Sequence, residues 1–384
     1  MKKNSLLLML ILTTVISLQA QEYERYKKLT DTTIFSNYLG FEKNISVTVP
    51  FEWQANVDSD FPLIIIFDRQ NPRSHNYIIN TIDYLTSNEQ MPSSIIISIE
   101  SSQEFRYNET AHKESTEAGL ALENENFLFN ELIPLAENKF KANSFRLFIG
   151  HSRYGYFTTS LFISKTNDLN AAISISPFFS QKNVELTDST MQLNNKTFNS
   201  TKYYRFAIGN DYPADFYEMD SVLNLINNED IDASGIWFPQ AEHNATPGLI
   251  IATALYDIFD FWSYEQAIYI NDGQKDLSII TDLSKEITMH YGSPLRFSLG
   301  ILNGKGWYFY NESEFEKAIE AWEILLENYP NFSEAYLYII DAQNQLNINN
   351  EGTIIDFKNN LEMSSIYSES EKKDLLNELE NLTQ

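Results

Sequence analysis

No cysteine occurs anywhere in the 384 residues. That excludes a disulfide framework, a thiolate zinc site and a cysteine nucleophile. The fold must be held by packing alone, and 43% hydrophobic with 14% aromatic residues supply the material. Positive charge is also scarce, with 27 Lys and Arg against 53 Asp and Glu. A surface of that sign repels phosphate backbones, so nucleic-acid binding is disfavoured. The acidity reads as solubility and points to no substrate. Histidines number five, and no two have metal-ligand spacing, so neither a metal nor another cofactor is expected. Beyond the first twenty residues no apolar run approaches the roughly 20 positions that a membrane-spanning helix needs.

Those first residues have their own pattern. Lys2 and Lys3 form a basic head, an apolar run covers 6–16, and Ser17, Leu18 and Gln19 lead to Ala20. Charge, greasy core and small-residue site are the order of a secretory signal peptide cleaved near Ala20. The expectation is an exported chain, periplasmic or secreted. The leader would take two lysines and no acid with it, raising the excess of negative charge from 26 to 28. Length suggests one large domain and a smaller one, at about 100–200 residues each: residues 21–268 and a helical tail, 269–384.

Between 45 and 241, apolar strand-like runs alternate with helix-like stretches. Residues 45–50 alternate like a half-exposed strand. Leu63-Ile64-Ile65-Ile66-Phe67 is continuously apolar, as in a strand buried on both faces. Similar runs follow at 95–99, 145–149, 171–176, 204–208 and 234–239. Residues 125–140 form a helical candidate with Phe127, Leu128, Leu132, Leu135 and Ala136 on one stripe. This alternation predicts an α/β fold with a mostly parallel central sheet covered on both faces. Ligand sites in such sheets lie at the carboxyl ends of the strands.

After about Leu249 only helices are expected, including one over 256–269. Gly306, Phe309, Ala318, Trp322 and Pro330 are spaced like a tetratricopeptide repeat, with a weaker second copy from Tyr336. One repeat cannot bury its own face, so the segment should stack on the helices before it. It is either a docking element for a protein partner or a plain helical cap.

Gly150-His151-Ser152-Arg153-Tyr154-Gly155 directly follows a buried run and precedes a helical one. That is where a nucleophile elbow belongs: a sharp strand-to-helix turn lifting a serine hydroxyl above the sheet edge. The next N–H, that of Arg153, is then free to face an oxyanion, aided by the helix amino terminus. The pattern departs from G-x-S-x-G in having Tyr154 at the fifth position, with glycine delayed to Gly155. Serine is also a common helix cap, the alternative role for Ser152. A nucleophilic serine needs a base. The elbow should turn His151 away, and His75, His112 and His290 sit in polar or helical contexts. His243, in the loop after the last strand, can reach the same edge. In this fold the acid falls between serine and histidine. Asp211 is nearest the end of the run 204–208 and is favoured over Asp215 and Glu218, although aspartate beside proline and glycine is also ordinary turn chemistry. A second oxyanion donor is expected around Asp68, Arg69 and Gln70. Arg69, Arg106 and Arg153 are candidates to bind an anionic substrate group at the pocket mouth.

With these residues placed, the chain resembles the esterase family of α/β-hydrolases that includes the enterochelin and salmochelin esterases. The resemblance covers roughly residues 36–262. It rests on Ser36-Asn37-Tyr38-Leu39-Gly40, Phe61-Pro62-Leu63 through Asp68, Met91-Pro92, Glu131-Leu132-Ile133-Pro134, the 145–155 stretch and Glu242-His243-Asn244. Members with a helical, repeat-bearing tail look most similar. The resemblance implies serine-dependent hydrolysis of a small-molecule ester, with Ser152 as nucleophile and His243 as base. Three features depart from the family: Tyr154 in the elbow; residues 105–110, which only partly resemble the family's arginine–aspartate–aromatic–threonine–proline stretch and keep Arg106; and the acid, whose position no local motif fixes.

Overall fold

The computed structural model of the protein describes residues 25–51, 53, 60–271 and 273–383. The expected leader, residues 1–20, lies outside them. Among the described residues no helix is long and apolar enough to cross a membrane.

The strands are β1 (Tyr26–Phe35), β2 (Glu42–Pro50), β3 (Phe61–Ile66), β4 (Ile95–Ile99), β5 (Ala142–His151) and β6 (Ala171–Ile175). A two-stranded hairpin, β7 (Ser180–Gln181) and β8 (Val184–Glu185), precedes β9 (Lys202–Ile208) and β10 (Ile231–Trp237). Eight of them form one sheet in the order β1-β2-β4-β3-β5-β6-β9-β10. From β4 to β10 every neighbouring pair is parallel; β2 pairs antiparallel with β4 and with β1. The mostly parallel α/β sheet expected from the sequence is therefore present.

Its apolar runs are explained by two covered faces. In β3, Ile64 and Ile66 join the core under helices Pro72–Ser87 and Pro247–Ile258. Leu63 and Ile65 join the opposite core, with helix Arg153–Ser164 and residues 127–140. All four side chains are fully buried, each contributing about 1.5–3 kcal/mol of transfer free energy. Strand β2 departs from expectation. Its polar positions Ser46 and Thr48 are 4% and 6% exposed, so the strand is covered on both faces rather than half-exposed. Sequence alternation there marks a change of chemistry, not of exposure.

The helical candidate 125–140 is three pieces: α-helix Ala121–Phe127, a π-helical turn Leu128–Leu132, and α-helix Ile133–Phe140. The apolar stripe is continuous, but Pro134 cannot donate a backbone hydrogen bond, and the wider turn falls just before it. The aromatic stretch 256–269 is likewise split at Phe259, between Pro247–Ile258 and Asp260–Ile270.

In the tail, helices Leu299–Asn311 and Phe315–Asn328 pair closely, with Ala318 and Trp322 fully buried between them. Phe309, Ala318 and Trp322 share one continuous core with the sheet residues Ile64 and Ile66. The stacking expected of an unpaired repeat thus occurs against the body of the molecule. The last helices gather round a smaller cluster, including Leu337, Phe357 and Leu375.

From β3 the chain steps to β4 on one side, and the next connection returns past β3 to β5 on the other. A crevice at such a switch point lies above the carboxyl ends of β3 and β5. Asp68 follows the first and Ser152 the second.

Candidate active site

Strand β5 ends at His151, and helix Arg153–Ser164 starts two residues later. Ser152 makes the whole turn between them. Its backbone sits at φ 59°, ψ −117°, a left-handed conformation that costs a serine of order 1–3 kcal/mol unless its surroundings enforce it. They do: the Ser152 N–H donates to Ile175 O at 2.8 Å, and the Tyr156 N–H donates to Ser152 O at 3.0 Å. Gly150 is needed because a Cβ there would lie 2.2 Å from Tyr154 O. Ser152 precedes the helix, yet its side chain makes no capping hydrogen bond. The hydroxyl is thus not used as a helix cap, and it faces a cleft of about 580 Å³ that is also lined by Asp68, Arg106, Tyr107, His151, Arg153 and His243.

Tyr154 turns away from this cleft. Its side chain is 1% exposed, stacks on Phe67 with ring centroids 4.5 Å apart, and hydrogen-bonds through its hydroxyl to Glu109 and Ser101. Glu109 in turn pairs with Lys43 at 2.8 Å. Burial first, and the nearby Glu109 charge second, raise the Tyr154 pKa well above that of a free phenol, so the phenol keeps its proton. The departure at the fifth position of the elbow therefore fills a buried polar network behind the turn and leaves its front open.

His243 lies in the loop after β10. That loop is tied to the end of β9 by the Asn210 N–H, which donates to Ala241 O at 2.8 Å. This brings His243 Nδ1 into a hydrogen bond with Asp211 Oδ2. With Nδ1–H donated to the carboxylate, Nε2 presents its lone pair. The other two acids are engaged elsewhere: Asp215 accepts the Phe179 N–H at 3.0 Å, and Glu218 accepts from Thr187 at 3.1 Å. Ser152 and His243 line the same cleft, and no hydrogen bond joins their side chains among the described contacts. Such bonds commonly tighten when substrate enters.

His151 was expected to turn away, but it lies against His243, with ring centroids 4.6 Å apart. Its Nε2–H donates to the His243 carbonyl at 3.1 Å. Burial, and secondly the neighbouring imidazole, push its pKa down to about 4, so it holds the loop as a neutral donor. Nothing local in the sequence signals this, because the two residues meet only through the sheet.

The three arginines separate. Arg106 grips Asp68 with two hydrogen bonds, Nε to Oδ1 at 2.7 Å and an Nη to Oδ2 at 2.5 Å, and reaches His151 O at 3.3 Å. Its charge is spent on Asp68, and burial alone would have lowered a pKa that this pairing instead raises. Arg106 and Asp68 therefore clamp the cleft wall to the elbow; they are not free groups awaiting an anion. Arg69 is removed from the expected set altogether. Its guanidinium pairs with Asp31 at 2.9 Å, and its N–H donates to Ile99 O at 3.0 Å. Of the turn after β3, the N–H groups of Asp68 and Gln70 have no acceptor among the described residues. Arg153 lies over Tyr107, 4.0 Å from the ring centroid. No cluster of potential metal ligands occurs among the described residues.

The "Putative esterase" family model matches residues 36–246, more than half of the chain. The chain belongs to this esterase family. It is accordingly a carboxylic-ester hydrolase of the α/β-hydrolase fold, and family membership suggests small-molecule ester substrates. No curated protein sequence matches it significantly. Among solved structures the esterase is similar to an IroE-like serine hydrolase from Shewanella oneidensis, with TM-score 0.61 and 17% identity over 79% of this chain and 100% of that one. An uncharacterised protein from Capnocytophaga ochracea matches 92% of this chain and 99% of its own, with TM-score 0.58 and 14% identity. The BES protein from Bacillus cereus covers 64% of this chain and 98% of its own, at 0.53 and 18%. At such identities these likenesses speak for the fold alone.

Proposed function

We propose that the chain is an exported serine esterase working through an acyl-enzyme. Ser152 Oγ attacks the ester carbonyl while His243 Nε2 takes its proton, and Asp211 holds the imidazole and stabilises its charged form. The tetrahedral oxyanion is met by the Arg153 N–H at the helix amino terminus and by an N–H from the turn after β3, Asp68 or Gln70. Collapse of the intermediate expels the alcohol, which receives the proton from His243. Water, deprotonated by the same imidazole, then releases the acid. Neither half-reaction calls for a group that the chain lacks.

The observation that carries this reading is the hydrogen bond from His243 to Asp211 in the same cleft as a serine held in a left-handed turn. Each feature has a structural explanation alone, but their meeting at one sheet edge does not. Export is supported by the order of residues 1–20, and an amino terminus at Gln21 in the mature protein would test it. Replacing Ser152 by alanine should abolish turnover of short-chain nitrophenyl esters with the unfolding temperature unchanged. Undiminished turnover by Ser152→Ala would end the proposal.

A further inference from the structure

Among the cations of the cleft, Arg153 differs from its neighbours. Four other arginines hold carboxylates: Arg69 holds Asp31, Arg106 holds Asp68, Arg146 holds Glu137 and Arg205 holds Asp232. No carboxylate among the described residues pairs with Arg153. Its surroundings are aromatic instead. The guanidinium lies 4.0 Å from the centroid of Tyr107 and 5.7 Å from that of Phe178, and Phe178 is itself stacked on Tyr156 at 5.0 Å. Aromatic faces hold a guanidinium through its π-face; Tyr107 also meets it in a side-chain hydrogen bond, and the rest of its N–H edge meets no carboxylate among the described residues. That edge is a fork suited to a planar, two-oxygen acceptor.

The arrangement is unfavourable for the empty protein. Burial works most strongly against the Arg153 cation; Tyr107 beside it favours the charge, and Arg106, as a like charge, works against it. An unpaired cation in that position becomes favourable when an anion arrives. Arg153 directly follows Ser152, so its reach is one side chain from the carbon under attack. The remaining surface of the chain, with 53 acids against 27 bases, repels anionic substrates. A carboxylate-bearing ester would therefore be held at the site only by a cation built into it.

We infer that Arg153 selects esters carrying a free carboxylate close to the scissile bond, on the acyl or the alcohol side. The inference rests on the serine-esterase reading above and specifies its substrate class.

Two matched pairs of esters separate the cases. On the acyl side, 4-nitrophenyl hemisuccinate is compared with its uncharged isostere 4-nitrophenyl 4-methylpentanoate. On the alcohol side, 4-acetoxybenzoate is compared with its methyl ester. The full-length mature protein should prefer the carboxylate member of at least one pair in kcat/KM by about tenfold to hundredfold, the range of a charge-assisted hydrogen-bonded contact. Arg153→Gln should collapse that ratio towards one, and Arg153→Lys should retain part of it. Unfolding temperatures of both variants would confirm that they are folded. Hydrolysis of the neutral esters through Ser152 with no preference in either pair, or a preference that survives Arg153→Gln, overturns the inference and leaves the serine-esterase reading standing. Failure to hydrolyse any of the four esters overturns both.

Discussion

At the residue scale the arrangement turns on which carboxylate holds which imidazole. Three acids were candidates after β9, and chain position alone could not separate them, because each lies in or just beyond the same turn. Their contacts do. Asp211 meets His243 Nδ1, whereas Asp215 secures a backbone N–H of the Phe179 segment. Asp211→Asn should therefore lower kcat by roughly 10⁴-fold, because an amide that donates to Nδ1 favours the wrong tautomer. Asp215→Asn keeps a carbonyl for the Phe179 N–H and should stay within a few-fold of wild type. Steady-state kinetics on a nitrophenyl ester compares the two directly, and equal losses would return the acid role to open choice. His151 adds a pH dependence. Its folded pKa of about 4 lies below the 6.5 of the free side chain, so the unfolded chain binds more protons as the medium acidifies. Stability should therefore fall as pH drops from about 6.5 towards 4. His151→Gln, which retains a donor for the His243 carbonyl, should flatten that part of a melting-temperature profile.

Among the elements, the strands of the sheet interior and the β10 edge were legible, and the β1 edge was not. Continuous runs such as Ile64 with its neighbours have no reading compatible with solvent, so β3, β4 and β5 follow from composition alone. Strand β1 carries Lys27, Lys28, Thr30, Asp31, Thr32 and Thr33. It pairs with β2 through its backbone, and backbone pairing leaves no mark on side-chain pattern. The elbow was legible for the same reason as β5, since a glycine–serine turn placed between a buried strand and a helix has few other uses. The role of Tyr154 was not, because its partners Glu109 and Ser101, and the Lys43 that pairs with Glu109, come from separate parts of the chain. That network predicts its own test. Lys43 and Glu109 are 2% and 1% exposed, so Lys43→Met would leave a carboxylate buried without its cation. The expected loss is about 3–5 kcal/mol, measurable by urea unfolding. A loss under about 1 kcal/mol would contradict a buried ion pair between Lys43 and Glu109.

On the scale of the whole molecule, the tail and the sheet share apolar surface. The repeat-like spacing of Phe309, Ala318 and Trp322 was visible in sequence, but not that these side chains would close over the same core as Ile64 and Ile149. Trp322→Ala, remote from the cleft, should cost about 3–5 kcal/mol and lower the temperature at which esterase activity is lost. Differential scanning calorimetry should record the tail and sheet melting together, whereas a separate early transition in the variant, with activity preserved through it, would mean that the tail is energetically independent. The cysteine-free composition fits such a body, in which packing takes the place of covalent links.

The central claim is that the hydroxyl of Ser152 is activated in the folded protein. The most direct measurement is reaction of the native chain with a fluorophosphonate, followed by mapping of the adduct by mass spectrometry. The account predicts one adduct, on Ser152, absent from Ser152→Ala and strongly slowed in His243→Ala. A folded protein that takes no label, or takes it on another residue, would contradict it.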